Sequence, residues 1–175
     1  MTNVDGMHSY FWLTSSTPKQ PIRDQVPYTT KALRQDLLRV RNAWEECQAG
    51  RERNAIYGYL TAVFDLVAWW AAENRALERA HWALRLRRIC PFDGDEPFAA
   101  IIRCTGDPTK VDKRTRSKWS RVLRYALEYK SASEPLDQFV KRKGGINKCA
   151  SRFAKQLGKG PVVSCSRRKG HYTDL

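Results

Sequence analysis

The chain has 175 residues, 42% of them hydrophobic and six of them tryptophan, with a formal net charge of +14. That apolar content excludes a chain disordered throughout, and the length fits one domain or two small ones. Residues 1–106 carry 14 Lys/Arg against 12 Asp/Glu, whereas residues 107–175 carry 18 against 6. A half so short of acids points to a polyanionic partner, either nucleic acid or an anionic membrane surface.

The opening Met1-Thr-Asn-Val-Asp5 lacks a basic flank followed by an apolar run, so no secretory signal is expected. Cys47, Cys90, Cys104, Cys149 and Cys165 are scattered, with no CxxC and no His pair to complete a zinc set. Reduced thiols in a cytoplasm follow, with no cofactor and no bound metal expected.

Residues 1–27 contain Tyr10-Phe-Trp-Leu13 and then Pro18, Pro21 and Pro27, which reads as an extended arm. A helical body is expected over residues 28–106. Thr29 or Thr30 suits an N-cap, and Leu33, Leu37, Val40, Trp44 and Cys47 form one apolar stripe ending at Gly50. The next helix should pair with it antiparallel. It holds the densest apolar mass of the chain, from Asn54 to Ala72, with Asp65 its only charge.

Ile56, Leu60, Val63, Val67 and Trp70 recur at alternating steps of four and three, which predicts a central buried helix. The beat continues through Asn74, Leu77, His81 and Leu84, so the helix is expected to run on toward Ile89. A stripe that long suggests a face shared with a second copy, hence a homodimer. The apolar stretch nears the roughly 20 residues of a membrane span. Asp65, Gly58, Thr61 and two tyrosines argue for soluble core instead, so no membrane span is expected.

Pro91 to Pro97 is a break, in which Asp93, Asp95 and Glu96 could ligate Mg²⁺ or Ca²⁺ but lack the further oxygens of an EF-hand. A short helix with Phe98, Ile101 and Ile102 inward precedes the boundary at Gly106-Asp-Pro108.

Residues 107–157 read as a basic three-helix module. The first helix sets Trp119, Val122, Leu123, Ala126 and Leu127 on a narrow apolar face, with Lys113, Arg114, Arg116, Lys118, Arg121 and Arg124 around it. Ser133 is expected to cap a second helix carrying Leu136, Phe139 and Val140 and ending at Lys143. Gly144-Gly145 turns the chain into a third, with Ile146, Cys149 or Ala150, Phe153 and Leu157 inward. Asn147, Lys148, Ser151, Arg152 and Lys155 then face outward. Helix, glycine turn and helix, braced by a preceding helix, is the outline of a helix-turn-helix. Arg167, Arg168 and Lys169 lie in a flexible basic tail over residues 158–175 and would add phosphate contacts.

The fold expected is therefore all-α: an antiparallel helical body followed by a small basic helix-turn-helix-like module. The function expected is non-enzymatic DNA binding, in transcriptional regulation or as an accessory factor for replication, partition or packaging. An RNA-binding protein stacking bases on Trp119, Tyr125 or Tyr129 is the alternative, as is a scaffold bound to a membrane surface. A nuclease using Asp65, Asp93, Asp95 or Glu96 is disfavoured, because these carboxylates come from a buried helix and a turn.

Overall fold

The computed structural model describes residues 28–50, 54–91 and 96–157, and these form seven α-helices with no strand among them. The fold is all-α, as the periodicity predicts. The helices are α1 (Thr30–Ala49), α2 (Ala55–Ala72), α3 (Ala76–Leu86), α4 (Pro97–Thr105), α5 (Lys113–Tyr129), α6 (Leu136–Arg142) and α7 (Ile146–Leu157). The arm, the tail, Asp93 and Asp95 lie outside the described residues.

Local chemistry starts three of these helices. Thr29 Oγ1 accepts from the Ala32 amide at 3.2 Å, opening α1. Glu96 accepts from the Phe98 and Ala99 amides and Asp112 from Thr115, satisfying orphan donors at the starts of α4 and α5.

α1 and α2 form an antiparallel hairpin. Tyr28, before α1, meets Trp69 and Trp70 at the end of α2, while Trp44 near the end of α1 meets Tyr59 near the start of α2. α2 is the central helix, in contact with α1, α3, α4, α5 and α6. Its length and composition would suffice to cross a membrane, but seven of its side chains are buried against these neighbours.

Val63, Val67, Trp70 and Leu84 of the long stripe are each at most 1% exposed within a single chain. Leu77 of the same stripe and Trp69 beside it, by contrast, remain 53% and 45% exposed. The stripe is not one helix. Asn74 adopts φ +56° and the Arg75 amide reaches back to the Trp70 carbonyl at 2.9 Å, closing α2 with a Schellman turn. Asparagine tolerates the left-handed conformation, and this ends a helix that apolar periodicity alone would extend.

The core is continuous across residue 107. Trp119 of α5 packs edge-on against both Trp44 and Tyr59, with centroids 6.1 and 6.0 Å away. Val122, Leu123, Ala126, Phe139, Cys149 and Phe153 belong to the same buried cluster as Leu33, Leu60 and Ile101. The Tyr59 hydroxyl lies 3.0 Å from Thr105 Oγ1, whose own proton goes to the Ile101 carbonyl at 2.8 Å, so Tyr59 is the donor. Burial holds the Tyr59 phenol well above its ordinary pKa, keeping it neutral.

Three local expectations in the basic half are corrected. Pro135 and not Ser133 occupies the N-cap position of α6, and the Ser133 hydroxyl instead pairs with Ser131 at 3.2 Å. Leu127 and Leu157 are 47% and 58% exposed, so neither joins the inward faces assigned to them. Both sit in the last turn of their helices.

Candidate nucleic-acid interface

α5 carries its cations on a scaffold held by Trp119, Val122, Leu123 and Ala126. Lys113 and Arg114 are exposed, and Arg116, Lys118, Arg121 and Arg124 are partly so, their stems lying along the helix. The first turn contains no acid. Lys113, Arg114 and Arg116 therefore crowd the end of the helix that already carries the positive pole of its dipole. Asp112 is the local counter-charge. Its hydrogen bonds from Thr115, with Arg114 and Lys118 nearby, hold its carboxyl below the usual range.

α7 lies along α5 in the same direction. Its first residue, Ile146, shares one cavity with Thr115 and Trp119, while Gln156 donates to the Tyr129 hydroxyl at 2.6 Å. Cys149, Ala150 and Phe153 are buried against the core, so Asn147, Lys148, Ser151, Arg152 and Lys155 face away from it, as the spacing predicts. Burial also raises the Cys149 thiol pKa, which leaves it an inert packing group.

α6 enters α7 through Gly144 and Gly145, at φ +93° and +92°, with the Gly145 amide bonded to the Val140 carbonyl at 2.8 Å. A Cβ on Gly144 would sit 2.5 Å from Lys148 Cδ, so the side chain of Lys148 lies directly over the turn. Val140 is fully buried.

Some cations of the described surface are held in ion pairs, whereas those of α5 and α7 are not, nor are Lys31, Arg34, Arg85, Arg87, Arg88, Lys110 and Lys130. Arg39, Arg41, Arg75 and Arg79 pair with Asp36, Glu45, Glu78 and Glu73, and in α6 Lys141 and Arg142 pair with Asp137 and Glu134. Among the described residues, no salt bridge engages Lys113, Arg114, Arg116, Lys118, Arg121, Arg124, Lys143, Lys148, Arg152 or Lys155. Three of the ten have other engagements. Arg121 Nε donates to the Ser117 carbonyl at 3.2 Å. Arg124 lies over the Phe153 ring at 4.6 Å and Lys143 lies 5.9 Å from the Phe139 ring. Arg167, Arg168 and Lys169 fall outside the described residues.

The aromatic residues considered for base stacking are mostly committed elsewhere. Trp119 and Tyr125 are 8% and 6% exposed, and only Tyr129 presents about half of its surface. No group of three or more potential metal ligands occurs among the described residues. Glu96, one of the three carboxylates considered for a cation, is the α4 cap and also accepts from Ser120 Oγ.

Compared with known proteins, the chain matches no family, no curated protein and no solved structure.

Proposed function

We propose that this is a non-enzymatic nucleic-acid-binding protein, with duplex DNA the favoured ligand, and that it binds through the cations of α5 and α7. The observation carrying this reading is that α5 and α7 together present nine Lys/Arg against one acid, Glu128, and that none of the nine forms a salt bridge among the described residues. Cations that outnumber their counter-charges this far repel one another and destabilise the compact state, and a polyanion relieves that repulsion. Burial of Trp119 and Tyr125 favours duplex over unpaired RNA, which would need those rings free to stack.

Under this reading α5 contacts phosphates and α7 is the recognition helix of a helix-turn-helix-like module. Asn147 and Arg152 are residue types that read adenine and guanine edges. Such a protein would regulate transcription, or assist replication, partition or packaging.

The test is binding of the full chain to a labelled duplex across a salt series. Affinity should fall with a log–log slope of about −0.9 per phosphate neutralised. A flat salt response, or equal affinity for a neutral polymer, would overturn the reading.

A further inference from the structure

Between α4 and α5 lies a groove of about 580 Å³ that the phosphate contacts proposed above do not account for. Its floor is apolar, made by Ile89, Ala99 and Pro108. Arg103, Lys113 and Arg116 stand around it, and Ser117 and Ser120 add hydroxyls. Lys113, Arg116, Ser117 and Ser120 are spaced i, i+3, i+4 and i+7, so one face of α5 supplies an entire wall. The fourth of these is fixed: Ser120 is 6% exposed and donates to the capping carboxylate of Glu96, leaving its oxygen as an acceptor. Arg103 is anchored too, donating to the Cys90 carbonyl at 3.1 Å.

A duplex laid across α5 would use the cations but not the apolar floor, because its bases are paired and stacked inside. A groove of this size accommodates a small ligand, and this one combines an apolar surface, acceptors and donors, and positive charge. The chemistry matching all three is a nucleotide: a planar base on the floor, polar edges toward the serines, and a phosphate at Lys113 and Arg116.

We infer that the α4–α5 groove holds an unpaired nucleotide of the bound strand, as found at a DNA end or overhang. The inference rests on the nucleic-acid reading above, with Lys113 and Arg116 serving both the groove and the backbone track.

The experiment measures affinity of the full chain, at fixed salt, for a blunt duplex, for the same duplex with a one-nucleotide overhang, and for a free nucleoside monophosphate. The overhang should bind about five- to tenfold tighter than the blunt end, the gain from burying roughly one face of a base against apolar side chains. The Ser117→Trp variant fills the groove while leaving every cation in place. It should abolish that gain and leave blunt-duplex affinity unchanged, with unaltered circular dichroism showing that the fold is kept. Ser117→Ala, which keeps the groove open but removes one hydroxyl, should retain part of the gain. Competition by the free monophosphate at millimolar concentration would assign the groove to mononucleotides instead and overturn the strand assignment. Equal affinity for blunt and overhanging ends, or a gain surviving Ser117→Trp, would overturn the groove proposal alone. Absence of duplex binding altogether would overturn the broader reading, and the groove assignment with it.

Discussion

Arg152 and Arg116 differ in what a guanidinium on this surface would meet. Under the proposed arrangement Arg152 faces base edges, whereas Arg116 faces phosphates, which repeat identically along every duplex. Arg152→Ala should therefore cost about 1–3 kcal/mol on a preferred site and much less on random DNA. Arg116→Ala should weaken both alike and reduce the salt slope by about one. Parallel titrations of selected and random duplexes would check this, and an equal loss from Arg152→Ala would remove the recognition-helix assignment. Glu96 offers a separate test on stability. Burial raises its carboxyl pKa above the ordinary 4.5, outweighing the hydrogen bond from Ser120 and those of the capped amides. The folded state thus binds the Glu96 proton more tightly than the unfolded chain does. Its contribution is fully present below the unfolded value and is lost as pH rises through the raised folded value. Thermal melts across a range of pH spanning both values should show the stability of the parent relative to Glu96→Gln falling as pH rises; a difference that grows with pH would contradict it.

The helix ends supply predictions of their own. Arg88 closes α3 at φ +55°, with the Ile89 amide bonded to the Leu84 carbonyl at 2.9 Å, the same closure that Asn74 and Gly144 make for α2 and α6. A residue with a Cβ is destabilised there by about 1–2 kcal/mol, and glycine is not. Arg88→Gly should accordingly raise stability by about 0.5–1 kcal/mol, while Gly144→Ala should lower it by about 1–2 kcal/mol. Urea denaturation with an unchanged m-value would verify both signs. Part of this was legible in the chain: Gly144-Gly145 announces a turn, and Thr29 or Thr30 was expected to cap α1, whereas the Asp112 cap was not anticipated. Arg88 was not legible, since arginine carries no left-handed preference and only the packing of α3 on α4 demands the turn.

Across the two differently charged halves, the single core implies that they unfold together. Trp119 bridges them through Trp44 and Tyr59, so Trp119→Ala should cost about 3–5 kcal/mol and lower one shared transition. Tryptophan fluorescence and circular dichroism should coincide through that transition, and separated midpoints would mean independent halves. Val67 tests the stripe of α2. It is 1% exposed inside one chain, so the buried carboxylate of Val67→Glu would cost several kcal/mol and unfold the protein at every concentration. Sedimentation showing a folded monomer for Val67→Glu would instead make the stripe an intermolecular surface.

Helical periodicity is a local property, and it was enough to establish the all-α class, the hairpin of α1 and α2, and the bounds of α7. It also showed which residues of α7 face out, because burial of Cys149, Ala150 and Phe153 leaves Asn147, Ser151 and Arg152 no other direction. The charge asymmetry was equally plain, being a matter of counting. Which apolar faces cover one another came from the packed chain alone: α2 packs against five of its own neighbours, Trp119 and Tyr125 are committed to packing, and α4 and α5 leave a groove between them. These are contacts between residues far apart in sequence, and periodicity says that a face must be buried without saying against what.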